Sequence, residues 1–119
     1  MQLPDQWNWP DSLDAMQAAP EHHKVLLENE QVRVLEPWVA PDDTVPVHTH
    51  RWPSVFRVLG SSDFVRRDPS GAVVLDSRSG PAPPAAGAGA VVWGAPLTPH
   101  SSTNVGPRDL RVIAVEIKR

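Results

Sequence analysis

The chain has 119 residues, 40% of them hydrophobic and 21% charged, the make-up of one ordinary globular domain. Its 14 prolines exclude a helical bundle, and the absence of cysteine excludes disulfide scaffolds, thiolate zinc sites and cysteine nucleophiles. A net charge of −3 gives no electrostatic reason for nucleic acid or a membrane surface as partner, and with no leader-like or membrane-length apolar run a cytoplasmic protein is expected.

Residues 1–21 read as an arm with a short helix, and residues 22–119 as the folded domain. Trp7 and Trp9 flank Asn8 ahead of Pro10 and are expected to anchor the arm. Ser12 is placed to cap a helix running to Ala19, which Pro20 stops, with Leu13, Met16 and Ala19 at helical spacing. So short a helix is marginal alone and must pack on the domain or on another subunit. From there the chain reads as strand after strand, over 23–27, 31–39, 44–50, 54–59, 63–67, 72–76, 90–93, 97–100 and 110–117. Glu28-Asn29-Glu30, Pro41-Asp42-Asp43 and Asp68-Pro69-Ser70-Gly71 supply turns. The stretch 78–89 is low in complexity and reads as a surface loop. Many short strands with turn chemistry between them predict an antiparallel sandwich or barrel.

Three of the five histidines form a pattern. His48 and His50 stand two apart on a strand, so both rings leave the same face. His100 follows much later, after Pro99. An HxH pair joined by one distant histidine suits a divalent ion inside a barrel, because neutral imidazole is a common ligand for zinc, iron, nickel and copper. The same residues also fit ordinary hydrogen-bonded core histidines. His22 and His23 are adjacent, face opposite ways on a strand, and are expected to be solvated.

Val47-His48-Thr49-His50 and the strand from Ser54 to Leu59 resemble the first cupin motif. Gly89 to Trp93, leading to His100 and then Asn104, resembles the second. The resemblance covers most of the chain after the arm. It implies an all-β fold, an antiparallel double-stranded jelly-roll barrel, associated as a homodimer, with one divalent metal (Fe, Ni, Mn or Zn) in the barrel mouth. By position the ligands are His48, His50 and His100, and Asn104 matches the motif's closing asparagine. Two departures stand out. Ser54 occupies the place of the family's usual glutamate ligand, and the second motif's proline is shifted to Pro96 with Leu97 at its glycine position. Three imidazoles without a carboxylate leave a divalent ion its full charge and open positions. Cupins with such sites carry out dioxygen chemistry on thiols, diketones or hydroxyaromatic acids. The lost ligand equally fits a site that no longer holds metal.

Alternation puts Phe56 and Val58 on the face of Ser54, so these residues are expected to line the pocket together with Trp38, Trp52, Trp93 and Asn104. Either Val32, Val34, Glu36 and Trp38 or Arg33 and Leu35 should share the interior. Ser54 and Glu36 are the candidate catalytic residues, Glu36 as base or substitute ligand. Arg51 and Arg57 face away from the ligands. The expected function is a metal-dependent enzyme acting on a small oxygen-rich substrate, by dioxygenase-like or Lewis-acid isomerase or lyase chemistry. The alternative is a non-enzymic small-molecule-binding or sensing protein with a structural metal or none.

Overall fold

A computed structural model describes residues 8–79 and 87–118 of the chain. Among these residues nine strands follow a short helical segment: β1 (His23–Glu28), β2 (Val32–Val39), β3 (Thr44–His50), β4 (Ser54–Gly60), β5 (Phe64–Arg67), β6 (Val73–Asp76), β7 (Val91–Gly94), β8 (Leu97–Asn104) and β9 (Leu110–Ile117). They build two antiparallel sheets, ordered β1-β2-β9-β4-β7 and β3-β8-β5-β6. This is the expected all-β jelly-roll arrangement. Strand β8 runs on to Asn104, past the expected end at His100, because Ser101 to Asn104 pair with β5.

The helical segment differs from its expectation. A 3-10 turn over Asp11–Leu13 is followed by one α-helical turn, α1 (Ala15–Ala18). The cap between them is Asp14, not Ser12; its carboxylate accepts a hydrogen bond from the Met16 amide at 3.2 Å. Asp14 also bridges to Thr49 on β3, and Ala15 and Ala19 are buried. The segment is thus docked on the domain. Trp7 lies outside the described residues, as does part of the 78–89 loop, and Trp9 is 38% exposed.

Period-two alternation sorts the strands into faces. On the larger sheet Arg33, Leu35 and Val39 of β2 lie opposite Glu116, Ala114 and Leu110 of β9, and β9 in turn pairs Glu116 with Ser54 and Ala114 with Phe56 on β4. At one end the inward residues are apolar, where Ala19, Val39 and Val45 cluster with Leu110. At the other end they are Arg33, Glu116, Ser54 and the histidines. The fold closes on hydrocarbon at one end and gathers polar residues, a candidate chamber, at the other. The turn between β5 and β6 follows the sequence signal: Gly71 takes φ +93°, and the Asp68 carboxylate accepts from the amides of Ser70 and Ala72.

Candidate metal centre

The polar chamber holds four histidines from three strands. His48 and His50 come from β3, His100 lies directly across from His48 on β8, and His23 opens β1. The ring centroid of His48 is 5.0 Å from that of His23, 5.0 Å from that of His50 and 4.5 Å from that of His100. His23 and His50 are 5.2 Å apart, and His50 and His100 6.3 Å. One potential ligand atom from each of His23, His48 and His50 lies within 4.8 Å of the other two. His23 therefore stands in the cluster with the HxH pair, and His100 packs beside it. The expectation of a solvated His23 is corrected: it is 3% exposed. His22 ends a 3-10 turn just before β1, is only 12% exposed at its side chain where a solvated ring was expected, and bonds Asp43 at 2.8 Å.

Each of the four rings has its Nδ1 atom engaged. His23 meets the carbonyl oxygen of Ala19 at 2.8 Å, His48 that of Pro46 at 2.7 Å, and His100 that of Thr98 at 2.7 Å. His50 meets a carboxylate oxygen of Glu116 at 3.0 Å. A carbonyl or carboxylate oxygen only accepts, so Nδ1 carries the hydrogen, and in the neutral ring the Nε2 lone pair stays available. Among the described residues no hydrogen bond involves any of these Nε2 atoms. Burial, joined by the neighbouring imidazoles, pushes His48 down to about 2 and His23 to about 4; burial likewise pushes His100 down to about 4. These three rings are neutral at pH 7, as metal ligation requires. Clustered neutral imidazoles with oriented, unused lone pairs fit a divalent transition-metal ion.

Behind His50 lies a buried ionic network. One oxygen of Glu116 takes the His50 hydrogen bond, and the other accepts from Nε of Arg33 at 2.6 Å. The two terminal nitrogens of Arg33 grip both oxygens of Asp14 at 3.0 and 3.1 Å. Trp52 covers the guanidinium at 4.9 Å. Burial alone would raise the Glu116 pKa, but the bonds from His50 and Arg33 outweigh it and hold the carboxylate below its ordinary value. Asp14 is lowered in the same way, Arg33 overcoming burial. Two carboxylates against one guanidinium leave one net negative charge behind the His50 ring. Glu116 pairs in register with Ser54, the position where the resembled motif carries glutamate. The missing carboxylate thus has a counterpart one strand away, reaching the site through His50.

The remaining expected residues divide cleanly. Ser54 and Val58 are buried on the inner face, with Phe56 between them. Gly94 lets Phe56 lie flat against β7: a Cβ there would stand 2.7 Å from its ring carbons. Trp38 and Trp93 do not line the chamber; they are 45% and 57% exposed on the outer face. Glu36 lies on that outer face too, bonded at 2.6 Å by Arg111, which stacks over Trp38. Period two had allowed either face of β2, and the inner one is that of Arg33 and Leu35. Asn104 is buried at the far end, where its amide donates to the carbonyls of Val39 and Arg108 and accepts from Gly106. It closes a turn there. Arg51 pairs with Asp11, and Arg57 is exposed. Sequence reasoning missed His23, Glu116 and Asp14, and left Arg33 on one of two candidate inner faces. A usable signal was Glu116 itself, a carboxylate in step with Val112 and Ala114 on the face that alternation buries.

No family model matches this sequence, and no curated protein is similar to it at a significant level. Solved structures are similar. A cupin domain from Bordetella pertussis Tohama I superposes with a TM-score of 0.65 at 20% identity, over 82% of this chain and 92% of that one. The polyketide cyclase RemF from Streptomyces resistomycificus matches at a TM-score of 0.51 and 19% identity, over 80% of this chain and 63% of its own. An RmlC-like cupin with a double-stranded β-helix fold from Methanocaldococcus jannaschii matches at 0.52 and 10%, over 80% and 77%.

Proposed function

We propose that this chain, a small protein with the cupin fold, binds one divalent metal ion through Nε2 of His23, His48 and His50, with His100 beside them, and uses it on a small organic molecule entering the polar chamber. The observation that carries this reading is the engagement of all four Nδ1 atoms by acceptors, which leaves the Nε2 lone pairs of one histidine cluster unused. A bound ion would supply a Lewis acid for an oxygen-bearing ligand, or a redox centre where the metal is iron.

The chain's own residues do the rest. The carbonyls of Ala19, Pro46 and Thr98 fix three tautomers, and Glu116 fixes the fourth while Arg33 holds Glu116 in place. Phe56 and Val58 give the chamber an apolar wall that excludes water from the bound molecule. The Ser54 hydroxyl, on the same face, is available to donate to a ligand oxygen. Glu36 is bound to Arg111 on the outer face of β2, and this reading gives it no role as a base. Dioxygenase-like and isomerase or lyase reactions both fit such a site.

The test is elemental analysis of protein purified without a histidine tag. About one equivalent of iron, nickel, manganese or zinc per chain supports the reading, particularly if chelation lowers the melting temperature. Metal-free protein that takes up none of these ions on reconstitution would refute it.

A further inference from the structure

Arg66 is a half-buried cation with no carboxylate paired to it among the described residues. On β8 the residues His100, Ser102 and Asn104 alternate onto one face, and β5 pairs Arg66 with Ser102 and Phe64 with Asn104. Arg66 and Phe64 therefore face the same side of the smaller sheet as His100, toward the interior. The guanidinium lies 5.7 Å over the Phe64 ring. Its Nε is buried without a hydrogen-bond partner, and among the described residues it makes no ion pair. Burial lowers its pKa, with no acidic group opposing that effect. After burial itself, the Arg66 charge helps to depress His100. Arg33 shows the contrast, since Asp14 and Glu116 answer its charge. A buried N–H with no acceptor is costly, and a carboxylate that meets Nε and a terminal nitrogen together would satisfy it.

We propose that Arg66 is the anion anchor of the chamber, binding the carboxylate of a small organic acid whose other end points toward the histidines. The direction of that far end rests on the metal reading above; the anchor itself does not. The guanidinium fork matches a planar carboxylate with two parallel hydrogen bonds. A monoanion fits better than a phosphate dianion, because Arg33, the other inward-facing arginine described, is already paired on both sides. Phe64, under the guanidinium, offers apolar surface for the body of the acid. The expected substrate class is thus a small monocarboxylic acid with an oxygen or sulfur function at its opposite end.

The test follows the Nε–H resonance of Arg66 in the full-length protein, with and without added zinc, as acetate, benzoate, inorganic phosphate, acetamide or benzamide is titrated in. A saturable shift with at least one carboxylate and none with the amides is expected, with the exposed Arg57 unmoved. In Arg66→Met, followed by calorimetric titration of the same ligands, the carboxylate affinity should fall by on the order of tenfold or more, to that of the amide. No saturable shift with either carboxylate overturns the assignment. So does an equal shift at Arg57, tighter binding of phosphate, or a carboxylate preference that survives in Arg66→Met. Shifts of the histidine rings on adding zinc report the metal reading separately, so either can fail while the other stands.

Discussion

Glu116 accepts a hydrogen bond from His50 at 3.0 Å while standing directly across the strand pair from Ser54. A carboxylate that touches a ligand ring from behind fixes its tautomer, aims its lone pair and increases its basicity. The resembled motif would place a carboxylate on the ion itself. Here the negative charge is kept but moved out by one imidazole.

Glu116→Gln tests that relationship. Its side chain keeps the shape and can still accept from His50, but the charge is gone. Metal affinity, measured by competition with a chromophoric chelator, should fall roughly 10–100-fold. An unchanged affinity would mean that Glu116 serves only Arg33.

Acid should destabilise the metal-free protein well above the carboxylate range. His23 and His100 are held at about 4 and His48 at about 2, against an ordinary value of 6.5. Below pH 6.5 the unfolded chain takes up protons that the folded one rejects, so stability is full above 6.5 and declines as pH falls toward 4. Each group contributes at most about 1.4 kcal/mol per pH unit, and mutual repulsion makes the sum less than additive. Urea unfolding at pH 7.5, 6 and 5 should show the decline; a flat profile would contradict neutral, buried rings.

Asn104→Ala separates a turn clamp from a pocket residue. Losing the bonds to Val39, Arg108 and Gly106 should cost about 1–3 kcal/mol of stability. Metal stoichiometry should not change. Loss of metal binding from a folded variant would show that Asn104 acts on the site after all.

Gly94→Ala forces a methyl group against Phe56 at 2.7 Å. Overpacking of this kind should cost about 1–3 kcal/mol, read as a lowered melting temperature. A Phe56→Leu change in the same chain should relieve part of it. No loss in the single variant would place the Phe56 ring elsewhere.

The strand pattern was legible because β-branched residues, alternation and proline-bearing turns all favour the same short strands, and all nine were located to within a few residues. His48, His50 and His100 were found because period two and motif spacing carry local information. His23 was not, since which face of β1 turns inward depends on its pairing with β2. The same ambiguity left Arg33 on one of two candidate inner faces, and its partners Asp14 and Glu116 come from distant parts of the chain. Tryptophan misled in the other direction: Trp38 lies outside because Arg111 stacks on it and Asp109 bonds its indole. Size suggested burial; register decided otherwise.

The most direct measurement is calorimetric titration of zinc into tag-free protein and into its His23→Ala, His48→Ala and His50→Ala variants, each checked for native circular dichroism. Saturation near one ion per chain is expected, with binding weakened at least a hundredfold in every folded variant. A wild-type chain that takes up no zinc, or three variants that bind it as tightly as wild type, would contradict the histidine cluster as a metal centre.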